Sequence, residues 1–320
     1  MIRRWLLALV FALAGSLYAH PVATEAFEPQ VPAKRIAITF DDPPRGPGAF
    51  MAPAERTRRL IAGMRAAGVW QAAFFVNPGR ISPHGREAAL IRDYVAAGHV
   101  IANHTATHQA LSRIGAQRFL ADVDRAEAWL KREPGYRPWL RFPFLDEGGR
   151  DKARRDAVRE GLRARGIRDA PITVDGSDWM TESFTIAARR RGHAIDMAAL
   201  RDLYVETHVQ SAEWSDRLAR RVLGRSPAHV LLLHETDLAA LFLPDLIDAL
   251  RARGWAIVTA DQALADPVMF AQPDTALANG SVIQMLAWER GVTGNRWYDR
   301  NDPAVAARLF ATRVLKEPGR

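Results

Sequence analysis

The chain has 320 residues, 48% hydrophobic and 25% charged, the proportions of a folded protein and not of a disordered, collagen-like or multi-span membrane chain. It has no cysteine, which excludes disulfide scaffolds, Cys-ligated metal and thiol nucleophiles. The formal charge of +8 is almost wholly arginine, scattered along the chain; the densest run, Arg189-Arg190-Arg191, reads as a solvated helix end, so no nucleic-acid partner is expected.

Residues 1–19 open with Met1-Ile2-Arg3-Arg4, continue in the apolar run Trp5–Ala14 and end on small residues at Ala19. This is the pattern of a secretory signal peptide cut after Ala19. The apolar run is shorter than the about 20 residues a helical span needs. With the signal cleaved no stable membrane span is expected; left uncleaved, the segment would be a membrane anchor, and either way the folded part is placed outside the cytoplasm, periplasmic or extracellular. A polar linker, 20–33, follows.

Short apolar runs then alternate with amphipathic stretches. Strands are predicted at Arg35–Phe40, Ala72–Asn77, His99–Asn103, Trp139–Pro143, Pro171–Asp175, His229–His234 and Trp255–Thr259. Helices are predicted at Ala54–Ala67, Arg86–Ala97, Ala116–Lys131, Lys152–Arg165 and Leu238–Arg253, with Gly68, Gly98, Gly166 and Gly254 closing four of them. Repeated strand–helix units imply a parallel sheet covered on both faces. About seven of them without a long linker predict one α/β fold, a barrel and not two separate domains, over 34–265. Residues 266–320 form a C-terminal extension expected to pack on that barrel; its Trp288, Trp297 and Tyr298 could face a glycan, but packing inward is the commoner use of such residues.

In such folds reactive groups gather at the C-terminal ends of strands. Those ends read Thr39-Phe40-Asp41-Asp42, Asn103-His104-Thr105-Ala106-Thr107-His108, Arg141-Phe142-Pro143-Phe144, Asp175-Gly176-Ser177-Asp178-Trp179 and Leu231-Leu232-Leu233-His234. The His104/His108 spacing would put two imidazoles on one helical face. One carboxylate and two neutral imidazoles are a common zinc set, though they suit other divalent ions too. A second carboxylate can take a proton from a metal-activated water, and an imidazole opposite can protonate a leaving group. The pattern is that of metal-assisted acyl hydrolysis.

These five segments, in this order, resemble the motifs of the polysaccharide deacetylases, carbohydrate esterase family 4, over residues 33–262. The resemblance implies a distorted (β/α) barrel and the deacetylation of an acetylated glycan such as a chitooligosaccharide or peptidoglycan-like chain. It implies Asp41 as base, His234 as acid, and Asp42, His104 and His108 as ligands of a divalent metal ion, typically zinc. Arg141 would orient Asp41, Asp178 would pair with His234, and Trp179 would wall the acetyl pocket. The sequence departs from the family where Pro43-Pro44 follow Asp42 in place of Gly, and where Phe142 and Phe144 replace the usual Pro and Tyr. The family's oxyanion donor there is a backbone amide, so Phe144 at the substrate rim keeps it. A related hydrolase of small non-sugar amides, or an inactive glycan-binding homologue, would share much of this pattern.

Overall fold

The computed structural model describes residues 34–276 and 278–318. Residues 1–19, read above as a signal peptide, and the expected linker 20–33 lie outside the described residues. In chain order the elements are β1 (Lys34–Asp41), α1 (Pro53–Ala66), β2 (Ala73–Val76), α2 (Glu87–Ala96), β3 (Val100–Asn103), α3 (Leu111–Ile114), α4 (Ala116–Leu130), β4 (Tyr136–Leu140) and β5 (Asp146–Gly149). They continue with α5 (Lys152–Ala164), β6 (Arg168–Asp169), β7 (Val174–Asp175), α6 (Asp178–Arg190), α7 (Met197–Leu223), β8 (Ala228–His234), α8 (Asp237–Ala252), β9 (Trp255–Ile257), α9 (Ala260–Leu264), β10 (Ala278–Asn279), α10 (Val282–Glu289) and α11 (Pro303–Arg313).

The main sheet runs β6-β4-β3-β2-β1-β8-β7, every pair parallel, with β9 paired to the start of β1. The edge strands β6 and β7 are not joined to each other, so the sheet curls into a barrel left open on one side. This is the barrel the alternating pattern predicts, in the distorted (β/α) form that the family resemblance implies. Strand four is the main displacement: it lies at Tyr136–Leu140, and its pairing with β3 is irregular. The fifth predicted strand shrinks to Val174–Asp175, and β6 before it had no clear apolar signal.

The central strands carry near-continuous apolar runs because both faces are covered. On β1, Ile36, Ile38 and Phe40 belong to one core layer with residues of β2, α1, α7 and α8, whereas Ala37 belongs to the other. The period of two then puts Thr39 and Asp41 on the Ala37 face. On β8, Leu231 and Leu233 point to the first layer and Val230 and Leu232 to the second, so His234 shares the Asp41 face. The C-terminal extension contributes Ala278, Val282, Ile283, Met285 and Leu286 to the second layer, and β10 pairs with β5. Tyr298 is buried, but Trp288 and Trp297 are each 42% exposed, which corrects the expectation that all three pack inward. Trp288 instead takes the Arg296 guanidinium on its face.

The loop after β1 is tied down by a buried ion network. Arg56 of α1 lies 3.2 Å from Asp237 and 3.7 Å from Glu235, all three almost wholly buried. Asp237 also accepts from the Phe50 and Met51 amides, and Tyr94 donates to Glu235. Arg56→Leu would strand two buried carboxylates and is expected to cost about 3–5 kcal/mol in chemical denaturation; a loss below about 1 kcal/mol would show the network to be dispensable.

Candidate active site

The site forms where β1, β3, β4 and β8 end and α6 begins. Asp41 and His234 are direct partners in the parallel register of β1 and β8. Arg141, just past β4, donates from Nη1 to both Asp41 oxygens, at 3.2 and 3.4 Å, and from Nε to the Ala170 carbonyl. Its guanidinium lies 4.2 Å over the Phe75 ring. Burial raises Asp41 to about 6, against the lowering pull of Arg141 and His234. His234 places Nδ1 2.7 Å from Asp178, whose other oxygen accepts the His234 amide. Burial would push this imidazole down, but Asp178 foremost, then Asp42 and Asp41, carry it up to about 9.

His104 and His108 are not on a helix, contrary to the reading of their spacing. They stand in an irregular loop after β3, with Thr105 at φ 61° and His108 at φ 55°, and their rings are 4.8 Å apart. The loop is held by its own polar groups. The Thr105 amide donates to Asn103 Oδ1, the His108 amide to Thr105 Oγ1, and Thr107 donates twice to the buried Asp122. Asp42 (φ 79°), Phe144 (φ 59°) and Ser177 (φ 49°) are also left-handed. Such non-glycine residues cost on the order of 1–3 kcal/mol each and persist only where the surroundings enforce them.

Asp42, His104 and His108 offer ligand atoms that all lie within 4.8 Å of one another. Asp42 Oδ1 is buried and accepts no hydrogen bond, with His108 Nε2 3.2 Å and His104 Nε2 3.8 Å away. His104 Nδ1 lies 2.8 Å from the Arg141 carbonyl; a carbonyl only accepts, so Nδ1 holds the proton and Nε2 presents a lone pair. Burial pushes both imidazoles down and keeps them neutral. Burial would raise Asp42, but His234, His104, His108 and Arg80 hold it well below the usual carboxylate range. Each group is in the protonation state that ligation requires, so the three residues fit a divalent ion.

The seven polar residues singled out in the sequence therefore converge. Of the two rim residues, Phe144 is 63% exposed with its ring 4.6 Å from that of His108, and Trp179 is 46% exposed at the start of α6. Sequence reasoning missed Arg45 and Arg80, which flank Asp42 from separate loops, and Asn77, whose amide holds the His104 and Thr105 carbonyls. It also missed Asn301 of the C-terminal extension, which with Ser211 donates to the Asp175 carbonyl in the loop leading to Asp178. Asn77 carried the one usable signal, a polar residue closing an apolar strand.

An open parallel β/α barrel, with an Asp/His/His cluster and two buried acid–base pairs at its C-terminal strand ends, defines a site equipped for hydrolysis. Residues 28–164 match the family model for polysaccharide deacetylase. Among curated proteins it is 27% identical over 192 residues to the peptidoglycan-N-acetylmuramic acid deacetylase of Bacillus subtilis (strain 168), covering 59% of this chain. The chain spans 36% of the length of that relative. Among solved structures, the chitin deacetylase of Colletotrichum lindemuthianum shares the fold, with a TM-score of 0.51 and 21% identity over 74% of this chain and 90% of that one. A family 4 carbohydrate esterase from Streptomyces lividans aligns with a TM-score of 0.47 and 20% identity, over 73% and 97% of the two chains.

One turn beyond Asp178, Glu182 is buried against the N-terminus of α8, accepting from the Leu238 amide at 3.2 Å. Burial and the neighbouring Asp237 raise it to about 7, against about 4.3 in an unfolded chain. The folded state therefore keeps a proton that the unfolded chain loses, and stability falls as pH rises from about 4.5 to 7. Glu182→Gln is expected to match the wild type near pH 4.5 and to exceed it by about 2–3 kcal/mol at pH 8 in urea denaturation. Parallel pH profiles for the two proteins would refute this.

Proposed function

We propose that the protein is an exported, metal-dependent deacetylase that hydrolyses acetyl groups, chiefly N-acetyl, on a polysaccharide or oligosaccharide. The observation that carries this reading is the pairing of Asp41 with His234 across adjacent strands, each backed by its own buried counter-charge, beside a metal-competent Asp/His/His set. The chitin and peptidoglycan deacetylases among its relatives support a glycan of that kind as substrate.

Asp42, His104 and His108 would hold the ion, zinc by its preference for such a donor set; when bound it polarises an acetyl carbonyl and acidifies a water. Asp41, with a pKa of about 6, is mostly ionised at neutral pH and close enough to neutrality to serve as base. It takes the water proton as the water oxygen bonds to the acetyl carbon, and Arg141 keeps its carboxylate oriented. The backbone amide of Phe144 is the donor to the resulting oxyanion. His234 is protonated at neutral pH, and its Nδ1 is occupied by Asp178, so Nε2 gives its proton to the leaving nitrogen as the C–N bond breaks. Acetate and the free amine result. Phe144 and Trp179 supply apolar walls at the rim.

Purified protein is expected to release acetate from chitooligosaccharides or peptidoglycan fragments, to lose that activity with a chelator and to regain it with zinc. Asp41→Asn should lower kcat by about 10²–10⁴-fold; undiminished turnover would remove Asp41 as the base. Asp178→Asn takes away the main upward pull on His234, so the basic limb of the kcat–pH profile should move down by about one unit or more. An unmoved limb would disconnect His234 from the acid step. Export predicts a mature N-terminus at His20, readable by N-terminal sequencing.

A further inference from the structure

Two guanidiniums at the site have no part in this chemistry. Arg45 follows β1 and places Nη1 2.7 Å from Asp42 Oδ2; Arg80 follows β2 and places Nη1 2.8 Å from the Asp42 carbonyl and 3.6 Å from Oδ1. Among the described residues neither side chain has another polar partner, so the Nε and Nη2 edge of each remains unused. That edge presents two parallel N–H donors, the geometry that grips both oxygens of a carboxylate.

Both heads are accessible, at 28% and 38% side-chain exposure, whereas Arg141 is buried on Asp41. Their backbones are fixed. The Arg45 amide donates to Glu235 at 3.0 Å, its carbonyl accepts from buried Arg56 at 2.8 Å, and the Arg80 amide donates to the Asn77 carbonyl at 3.0 Å. Two cations on anchored loops thus face solvent beside the metal-competent cluster, with little ordering left to be done when an anion arrives.

We propose that Arg45 and Arg80 form an anion subsite beside Asp42, and that the preferred acetylated glycan carries a carboxylate on or next to the sugar that loses its acetyl group. This rests on the deacetylase reading and adds a substrate class to it. A neutral acetylated glycan fits the same reaction but leaves both guanidinium edges unanswered.

The test compares three probes: N-acetylated glycan strands whose alternate sugars carry a lactyl-ether carboxylate, the same strands with that carboxylate converted to an amide, and strands whose carboxylate sits on an attached peptide. The wild type should favour a carboxylate-bearing strand over the amidated one by about tenfold in kcat/KM, as expected for a charged hydrogen bond, and less so at high salt. Which carboxylate strand is favoured tells whether the group belongs to the sugar or to the peptide. In Arg45→Gln and Arg80→Gln the ratio should fall toward one, whatever happens to the overall rate; a merely structural arginine would lower all probes alike. Equal kcat/KM for charged and amidated strands in the wild type, or an unchanged ratio in both variants, overturns the subsite. Calorimetric binding of the same strands separates the two readings. Selective binding without acetate release sinks the deacetylase and keeps the subsite, and acetate release without selectivity does the opposite.

Discussion

The site depends first on the parallel register between β1 and β8, which sets Asp41 opposite His234. Parallel pairing puts both C-terminal ends at the same rim, and the strand period turns both side chains to the same face. Neither group needs a loop to bring it near the other. What remains for the loops is to supply counter-charges and ligands. Arg141 arrives just past β4, and Asp178 arrives at the first turn of α6, so each reactive group is held by a residue from a different element.

The loops that deliver the remaining groups are strained, and the structure compensates with buried polar anchors. Asp42, Thr105, His108, Phe144 and Ser177 all sit at positive φ around one rim. Asn103 and Asn77 secure the histidine loop, Asp175 takes the Ser177 amide, and the Arg56–Asp237–Glu235 network secures the segment after Asp42. Even the C-terminal extension takes part, since Asn301 reaches the Asp175 carbonyl behind the α6 turn. It thereby ties a segment outside the repeating β/α pattern to the arm that presents Asp178.

Much of this was legible from the sequence, for a physical reason. Strands buried on both faces must be apolar throughout, so a polar group at a strand end stands out; Asp41, Asn103 and His234 were found that way. Short edge strands such as β6 and β7 bury too little to leave such a run, and Tyr136-Arg137-Pro138 hid the start of β4. The His104/His108 spacing suggested a helix because periodicity is blind to backbone φ, and two left-handed residues in five break any helix. Arg45 and Arg80 could not be separated from a chain rich in arginine, because their role comes from two loops meeting at Asp42 and neither loop has a motif.

Asp41 and Asp42 are neighbours in sequence, yet the fold drives them in opposite directions, up to about 6 for one and well below the usual range for the other. Both are buried, so desolvation raises both. The difference is what each one faces. Asp41 ends the strand on the inner face, where Arg141 and His234 favour its charge but Asp42 and Asp178 oppose it and burial outweighs them. Asp42 has left the strand at φ 79°, and the turn sets it among His234, His104, His108 and Arg80, all of which favour the anion. One backbone dihedral thus separates a carboxylate poised to accept a proton from one that stays ionised and fit for a cation, the same division of roles that environment imposes on paired carboxylates elsewhere.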